Sequence, residues 1–456
     1  MAAKALYPGA LTETRPSLLP KLAIKPWMPG PPRSITLINV LVVDPASGSL
    51  LGFDENELKH TVTMNNGKFD EIRPTHEGDR NLVEKEEVVV VDLNGAYICP
   101  GLIDCHVHVT AVAGVKTMSE LMRVSAQEVH LRTTYNLKEM LQRGFTIVRD
   151  TGGATKVLAN AIEEGLIVGP RLFQCGKALS QTGTGHGDFA PALSGGHELG
   201  CCGGGDVGLF ARVADGVPAV LSAVRGELKS GADFIKIMVG GGVASETDAI
   251  ETVQFTAEEI RAITTTCKQM GGKLSTAHAY TVESIRHAIE NGVQMSANGI
   301  YLTPTLCCYS IMTRPPFEDF LPPSGQVKNA EVMKQGLKAL KTASDAGVTI
   351  CYGSDLLTSM QALQTEEFTV RATVLPSPDI LRHATTNAAK MLDRTSLLGT
   401  ISPGAYADLL ILNANPLEDV TVLDRPENHL IAVIKGGRVV VTSGVKELEA
   451  LEGLKR

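Results

Sequence analysis

The sequence predicts an α/β fold: a (β/α)₈ barrel, with a gap expected near its sixth and seventh strands, carrying a small β-sandwich built from both chain ends. Three observations predict it. Between about residues 98 and 401, apolar strand-like runs alternate with helical stretches, as repeated βα units do. The β-branched runs on either side of that region are joined by turns rather than helices, so they belong together in a separate layer. Finally, the side chains best suited to bind a metal fall at the C-terminal ends of the alternating strands, where a barrel gathers its chemistry.

In chain order, residues 1–34 are proline-rich without an apolar segment and read as an irregular N-terminal arm, which is no secretory signal. Trp27, the single tryptophan, is expected to anchor the arm by burying its ring. Residues 35–97 form the first part of the sandwich, with strands over 35–44, 67–72 and 88–93. The barrel follows over 98–401. Its expected strands are 98–105, 146–150, 171–176, 233–239, 273–278, 292–297, 301–306 and 348–352, with helices that include 128–143, 217–229, 257–270, 282–291, 330–346 and 380–392. Residues 402–445 return to the sandwich through 407–412, 430–435 and 438–440, and 446–456 form a tail.

Composition narrows the function. A formal charge of -8, with no Lys/Arg cluster interleaved with aromatics, argues against nucleic acid as partner. No stretch approaches the roughly 18 uninterrupted apolar residues of a membrane span, so no membrane association is expected. The nine cysteines are odd in number and sit mostly in apolar runs, the pattern of reduced buried thiols and a cytoplasmic setting. The expected partner is a small-molecule substrate.

The centre of the chain is Leu102-Ile103-Asp104-Cys105-His106-Val107-His108. Side chains on a strand alternate faces, so His106 and His108 point the same way and can clasp one ion. Alone, the pair is equally well read as solvated strand-end histidines. Lys236 in Phe-Ile-Lys-Ile-Met, His278 in Ser-Thr-Ala-His-Ala-Tyr and Asp355 in Gly-Ser-Asp also sit at or just after apolar strand ends, and the barrel would bring all five together. Two histidines and an aspartate suit a divalent ion, zinc above all, with a position open for water. Asp355 could carry a proton from attacking water to the leaving nitrogen. Burial would lower the Lys236 pKa towards a neutral amine, which can take up carbon dioxide as a carbamate. Asp355 as a turn cap and Lys236 as a snorkelling or paired lysine are the plainer readings. His130, His287 and His383 fall on expected helices, where a solvated face is the simpler fate. His60, His76, His197 and His429 lie in polar or turn-rich sequence. Gly240-Gly241-Gly242, with no Lys-Ser/Thr after it, would let backbone approach the metal site.

The set resembles the amidohydrolase superfamily, most recognisably in Pro100-Gly101-Leu102-Ile103-Asp104-Cys105-His106-Val107-His108. Through Ala178-Leu179-Ser180-Gln181-Thr182 and Gly185-His186-Gly187-Asp188 it is similar to the imidazolonepropionase-like and Xaa-Pro dipeptidase (prolidase) branch that includes ochratoxinase. The resemblance implies metal-dependent hydrolysis of a C–N bond in a small amide, such as an N-acyl amino acid or dipeptide. It places His106 and His108 on a first Zn²⁺, Lys236 as carboxylated bridge and His278 on a second ion. It also places Asp355 on the first ion as proton shuttle, and His186 and Tyr280 at the substrate pocket.

The sequence departs from that branch at one place. The branch carries a further histidine at the end of the sixth strand, yet no histidine occurs between His287 and His383, and the run at 301 begins almost directly after 292–297. Parallel neighbours need a crossover of a dozen or more residues. The segment therefore lacks a ligand and a helix. A weak second metal site is expected, together with an apolar seam that favours low solubility or pairing into a homo-oligomer. A one-metal hydrolase or deaminase, and a catalytically impaired barrel that binds ligand, are the alternatives.

Overall fold

Gly101 divides what the sequence presents as one strand. In the computed structural model, which describes residues 25–52, 59–81, 88–184, 210–245, 248–293 and 299–451, Tyr97–Pro100 and Leu102–Val107 are separate strands in different sheets. A Cβ at Gly101 would lie 2.2 Å from Thr146 Oγ1, so only glycine lets the chain pass there. Its N–H donates to Asp408 O at 2.9 Å, tying the passage to the returning chain end.

Tyr97–Pro100 pairs antiparallel with Leu409–Leu412 and parallel with Ser34–Asp44. Leu430–Lys435 and Arg438–Thr442 extend this sheet on one side, and Lys59–Asn65 and Lys68–Pro74 on the other. Val88–Asp92 and Ser49–Leu50 also pair with Ser34–Asp44. Of the expected sandwich, the origin from both chain ends is what the structure carries: the described strands form one nine-stranded sheet. Val40, Val62, Phe69, Ile98, Ile411 and Ile434 pack on it as one apolar cluster.

The remaining strands are parallel. Leu102–Val107 pairs with Phe145–Asp150, which pairs with Arg171–Gln174. Ala178–Ser180 pairs with Ala211–Val213 and with Phe234–Met238, which pairs with Leu274–His278. Tyr301–Leu302 pairs with Thr349–Ile350. Single bonds link the groups: Cys105 N–H to Tyr352 O at 2.9 Å, and Asp233 N–H to Gln174 O at 2.8 Å. Of the expected 301–306 strand only Tyr301–Leu302 is one, beside Thr349–Ile350 and, among the described residues, in a sheet apart from Leu274–His278; most of 292–297 lies outside the described residues.

Helices alternate with these strands for local reasons. Ser125 caps Ala126–Gln142, while Thr256 with Glu259 and Thr281 with Ser284 form capping boxes on Ala257–Gln269 and Val282–Glu290. The expected helix at 330 begins instead at Pro323, which sits in its first turn. The expected helix at 380–392 is two, Ser377–His383 and Thr386–Met391, broken where Thr385 leaves helical geometry (φ -136°, ψ -95°).

Three expectations about single residues are corrected. Trp27 is 42% exposed; the arm is tied down by polar contacts instead, Lys25 to Glu164 and Arg438 to Gly30 O. His383 is buried, because Arg371 Nη1 lies 3.1 Å from its Nδ1. Arg371 also pairs with Glu367 at 2.7 Å, with both side chains fully buried. Glu367 in turn accepts the Leu306 and Cys307 N–H groups at 2.9 and 2.6 Å. His60 is buried on Lys59–Asn65 rather than in a polar turn. The seven described cysteines are all buried and free; Cys201 and Cys202 lie outside the described residues. No described helix is long and apolar enough to cross a membrane.

Candidate metal centre

His106 occupies Leu102–Val107 and His108 follows it directly. The parallel pairing that buries Leu102, Ile103 and Cys105 completely aims both imidazoles at one point. Asp355 arrives there after Gly353-Ser354, in a left-handed backbone conformation (φ 51°) unusual for a residue with a side chain. The bond from its own N–H to His106 O, 2.8 Å, fixes that turn. The outcome is close: Asp355 Oδ1 lies 3.4 Å from His106 Nε2 and 3.3 Å from His108 Nε2. One ligand atom from each of the three falls within 4.8 Å of the others.

A supporting layer orients these groups. His108 Nδ1 lies 3.0 Å from Gly152 O, so Nδ1–H donates and Nε2 is the nitrogen turned to the cluster, donating to Asp355 when protonated and offering its lone pair to an ion when not. Asp150 shapes the turn that presents Gly152, accepting N–H bonds from Val109, Gly152 and Ala154 at 2.7, 2.9 and 3.1 Å. Asp104 accepts from His106 N–H at 3.0 Å, Ser354 Oγ at 2.6 Å and Gln364 Nε2 at 2.9 Å. It thereby joins the His106 strand to the Asp355 turn. Gln361 Nε2 donates to His108 O at 3.0 Å. None of Asp104, Asp150, Ser354, Gln361 and Gln364 stood out in the sequence as a site residue. For Asp104 the available signal was a carboxylate between Ile103 and Cys105 in a buried run, since a buried carboxylate demands partners.

Electrostatics follow from this crowding. Burial raises the Asp355 carboxyl, but the neighbouring His106, His108 and Lys236 outweigh it and hold the group well below the usual carboxylate range. Burial pushes His106 well down. Burial also pulls on His108, yet the hydrogen bond and charge of Asp355 raise it overall. Burial raises Asp104 and Asp150 despite their donors.

Lys236 is buried in the middle of Phe234–Met238. Burial lowers its ammonium to about 8, with Asp355 opposing and Arg149 assisting, so it sits within the field of the cluster. His278 ends Leu274–His278 but stands apart from the gathered trio. Its Nε2 lies 3.0 Å from Gly241 O, and its ring meets the Tyr280 ring edge-on at 4.8 Å. A Cβ on Gly241 would lie 1.8 Å from Ala249 O, which explains the glycine at this approach. Tyr280 lines a small cavity that opens on His108 and Asp355. Its hydroxyl lies 2.7 Å from that of Tyr309, and Met118, Phe210, Met238, Met312 and Leu357 supply apolar walls. His186 lies outside the described residues. A larger cleft of about 630 Å³ lies among Glu139, Arg143, Arg314, Glu366, Asp424 and Glu427. It contains none of the gathered ligands, and its Arg314 is already paired with Glu366.

Parallel strands that deliver two imidazoles and a carboxylate to one cavity define a hydrolase-type centre in an α/β protein. The chain belongs to the amidohydrolase family, which it matches over residues 97–440, and is a hydrolase acting on carbon–nitrogen bonds. It is 31% identical to the ochratoxinase of Aspergillus niger over 370 residues, covering 76% of each chain. To the imidazolonepropionase of Fusobacterium nucleatum it is 22% identical over 422 residues, covering 82% of this chain and 94% of the other. Among solved structures it is similar to a prolidase complexed with N-methylphosphonate-L-proline, with TM-score 0.82, 37% identity and coverage of 90% of this chain and 100% of that one.

Proposed function

We propose that the chain is a metal-dependent amidohydrolase that cleaves an amide C–N bond in a small substrate. The observation that carries this reading is the convergence of His106, His108 and Asp355 within 4.8 Å. The donor set fits a divalent ion, since His108 Nε2 faces the cluster while Nδ1 is committed to Gly152 O. Zinc suits two imidazoles and a carboxylate. When bound, such an ion supplies Lewis acidity, polarising a carbonyl and activating water.

The chain's own residues do the rest. Asp355, kept ionised by its neighbours, takes a proton at its carboxylate and returns it to the leaving nitrogen. Asp104 keeps its turn in register with His106. Lys236, brought to about 8 by burial, has the neutral fraction needed to form a carbamate, an anionic ligand beside the trio. Tyr280 with its Tyr309 partner serves the substrate side of the cavity, and His186 keeps the substrate-binding role that the family resemblance implies. The buried free thiols suit a reducing compartment such as the cytoplasm.

A second reading rests on His278. Its Nε2 is taken up with Gly241 O, and the sequence holds no histidine between His287, on Val282–Glu290, and His383 to complete a second site. This favours a one-metal hydrolase or deaminase. Metal analysis of the purified chain, with hydrolysis of a small amide panel before and after chelation and zinc re-addition, tests both readings. Activity lost and restored with close to two ions per chain supports the binuclear enzyme. Close to one supports the mononuclear one, and no bound metal with no activity overturns both.

A further inference from the structure

Arg143 closes the helix Ala126–Gln142 and lines the cleft of about 630 Å³ that holds none of the gathered ligands. Its guanidinium is nevertheless connected to them. Nη2 donates to Gln361 O at 2.9 Å and to Gln364 Oε1 at 3.1 Å. Both acceptors belong to the 3₁₀ turn Thr358–Leu363 and the residue that ends it. Residues three apart on such a turn share a face, so the two glutamine side chains leave it in the same direction. Gln361 Nε2 donates to the carbonyls of His108 and Ala111 at 3.0 and 2.6 Å, and Gln364 Nε2 donates to Asp104 Oδ2 at 2.9 Å. Asp104 in turn accepts the His106 N–H and the Ser354 hydroxyl. One arginine thus stands behind the backbone of both histidines and the turn of Asp355.

We propose that Arg143 is a positioning residue of the metal centre, holding His106, His108 and Asp355 in register through the turn that carries Gln361 and Gln364. The proposal rests on the metal-centre reading above and extends it to a residue outside the cavity. An arginine only donates, so Gln364 must present Oε1 to it and keep Nε2 for Asp104. Without the guanidinium the amide is free to turn its oxygen towards that carboxylate, which repels it. Asp104, Gln361 and Gln364 are all buried, so water does not replace a lost donor. Burial lowers the Arg143 guanidinium to about 10, with Glu139 and Asp104 among the groups opposing, which leaves it charged at neutral pH. Tyr352 Oη, donating to Gln364 O at 2.6 Å, also holds the turn.

The test uses the full chain, with zinc affinity read by competition against a chromophoric chelator and folding by thermal unfolding of the metal-free protein. Arg143→Ala should weaken zinc binding by about tenfold, the lower end of what groups behind metal ligands contribute. Because Arg143 lines a cleft, millimolar methylguanidinium should restore most of that loss. Potassium chloride at the same concentration, which brings charge but no donor, should not. Gln364→Met should weaken zinc binding by a similar factor, and adding Arg143→Ala to it should cost less than about twofold more. Zinc affinity of Arg143→Ala equal to the parent's, a loss that methylguanidinium leaves unrepaired, or losses that simply add, overturns the proposal. Unchanged affinity in Gln364→Met overturns it as well, whether or not Arg143→Ala folds. A parent chain that binds no zinc removes the metal-centre reading and the proposal with it, whereas a zinc-binding parent with an indifferent Arg143 removes the proposal alone.

Discussion

Asp355 stands where a turn, a cluster and a proton path meet, and each can be separated by substitution. Asn tolerates the left-handed conformation (φ 51° at this position) and keeps the shape, but it cannot carry the proton. Asp355→Asn should therefore leave the unfolding midpoint close to that of the parent while lowering turnover by about 10² to 10⁴; an unchanged rate removes Asp355 from the mechanism. Lys236→Ala should lose bound metal and activity together, with partial recovery in short carboxylic acids that replace the missing anion. Full metal retention by the alanine variant would refute the carbamate. His106, His108 and Asp355, which the structure gathers, were legible because each stands at or just past the end of an apolar run, whereas Lys236 stood out as a charge inside one. Asp104 was not: its partner Ser354 lies 250 positions away in sequence, and no local pattern announces a bond of that span.

At the scale of elements, strands and helices were read to within a few residues where periodicity was strong, as for Ala257–Gln269 and Leu274–His278. The misses have physical causes. Gly101 separates two strands because Thr146 crowds it, a tertiary fact. Lys59–Asn65 mixes polar and β-branched residues whose burial depends on neighbours on both sides. The helix carrying His383 was placed correctly, yet its histidine faces inward onto Arg371. That contact sets a pH dependence. Burial, then the charge of Arg371, pulls the folded-state His383 to about 2, whereas the unfolded chain binds its proton near about 6.5. Between those values the unfolded state holds the extra proton, so stability falls as pH drops below about 6.5, by up to about 1.4 kcal/mol per unit. His383→Asn should remove this one-proton contribution. Chemical denaturation of both proteins between pH 4 and 6 checks it, and identical slopes would disprove it.

For the whole molecule, the short passage from 292 to 301 has a visible surface correlate. Val282, Ile285 and Ile289 form an exposed stripe at helical spacing on Val282–Glu290, and Ile300 and Val348 are exposed as well. An exposed apolar helix stripe of this kind favours association. Ile285→Lys combined with Ile289→Glu should raise the soluble fraction and move the chain towards a smaller species in size-exclusion chromatography. An unaltered profile would show that this face makes no contact between copies.

The pairing of Tyr97–Pro100 with Leu409–Leu412 has a consequence for how the chain is made. A strand formed early in synthesis waits for one that lies about 300 residues downstream. At roughly 5–20 residues per second the ribosome takes on the order of 15–60 s to supply it. During that interval the edge that Leu409–Leu412 will cover is open to any other nascent strand. Chains stalled before residue 409 should therefore recruit holdase chaperones, and chains stalled past 442 should release them. Crosslinking of arrested nascent chains would show the exchange, and equal recruitment at both lengths would rule it out.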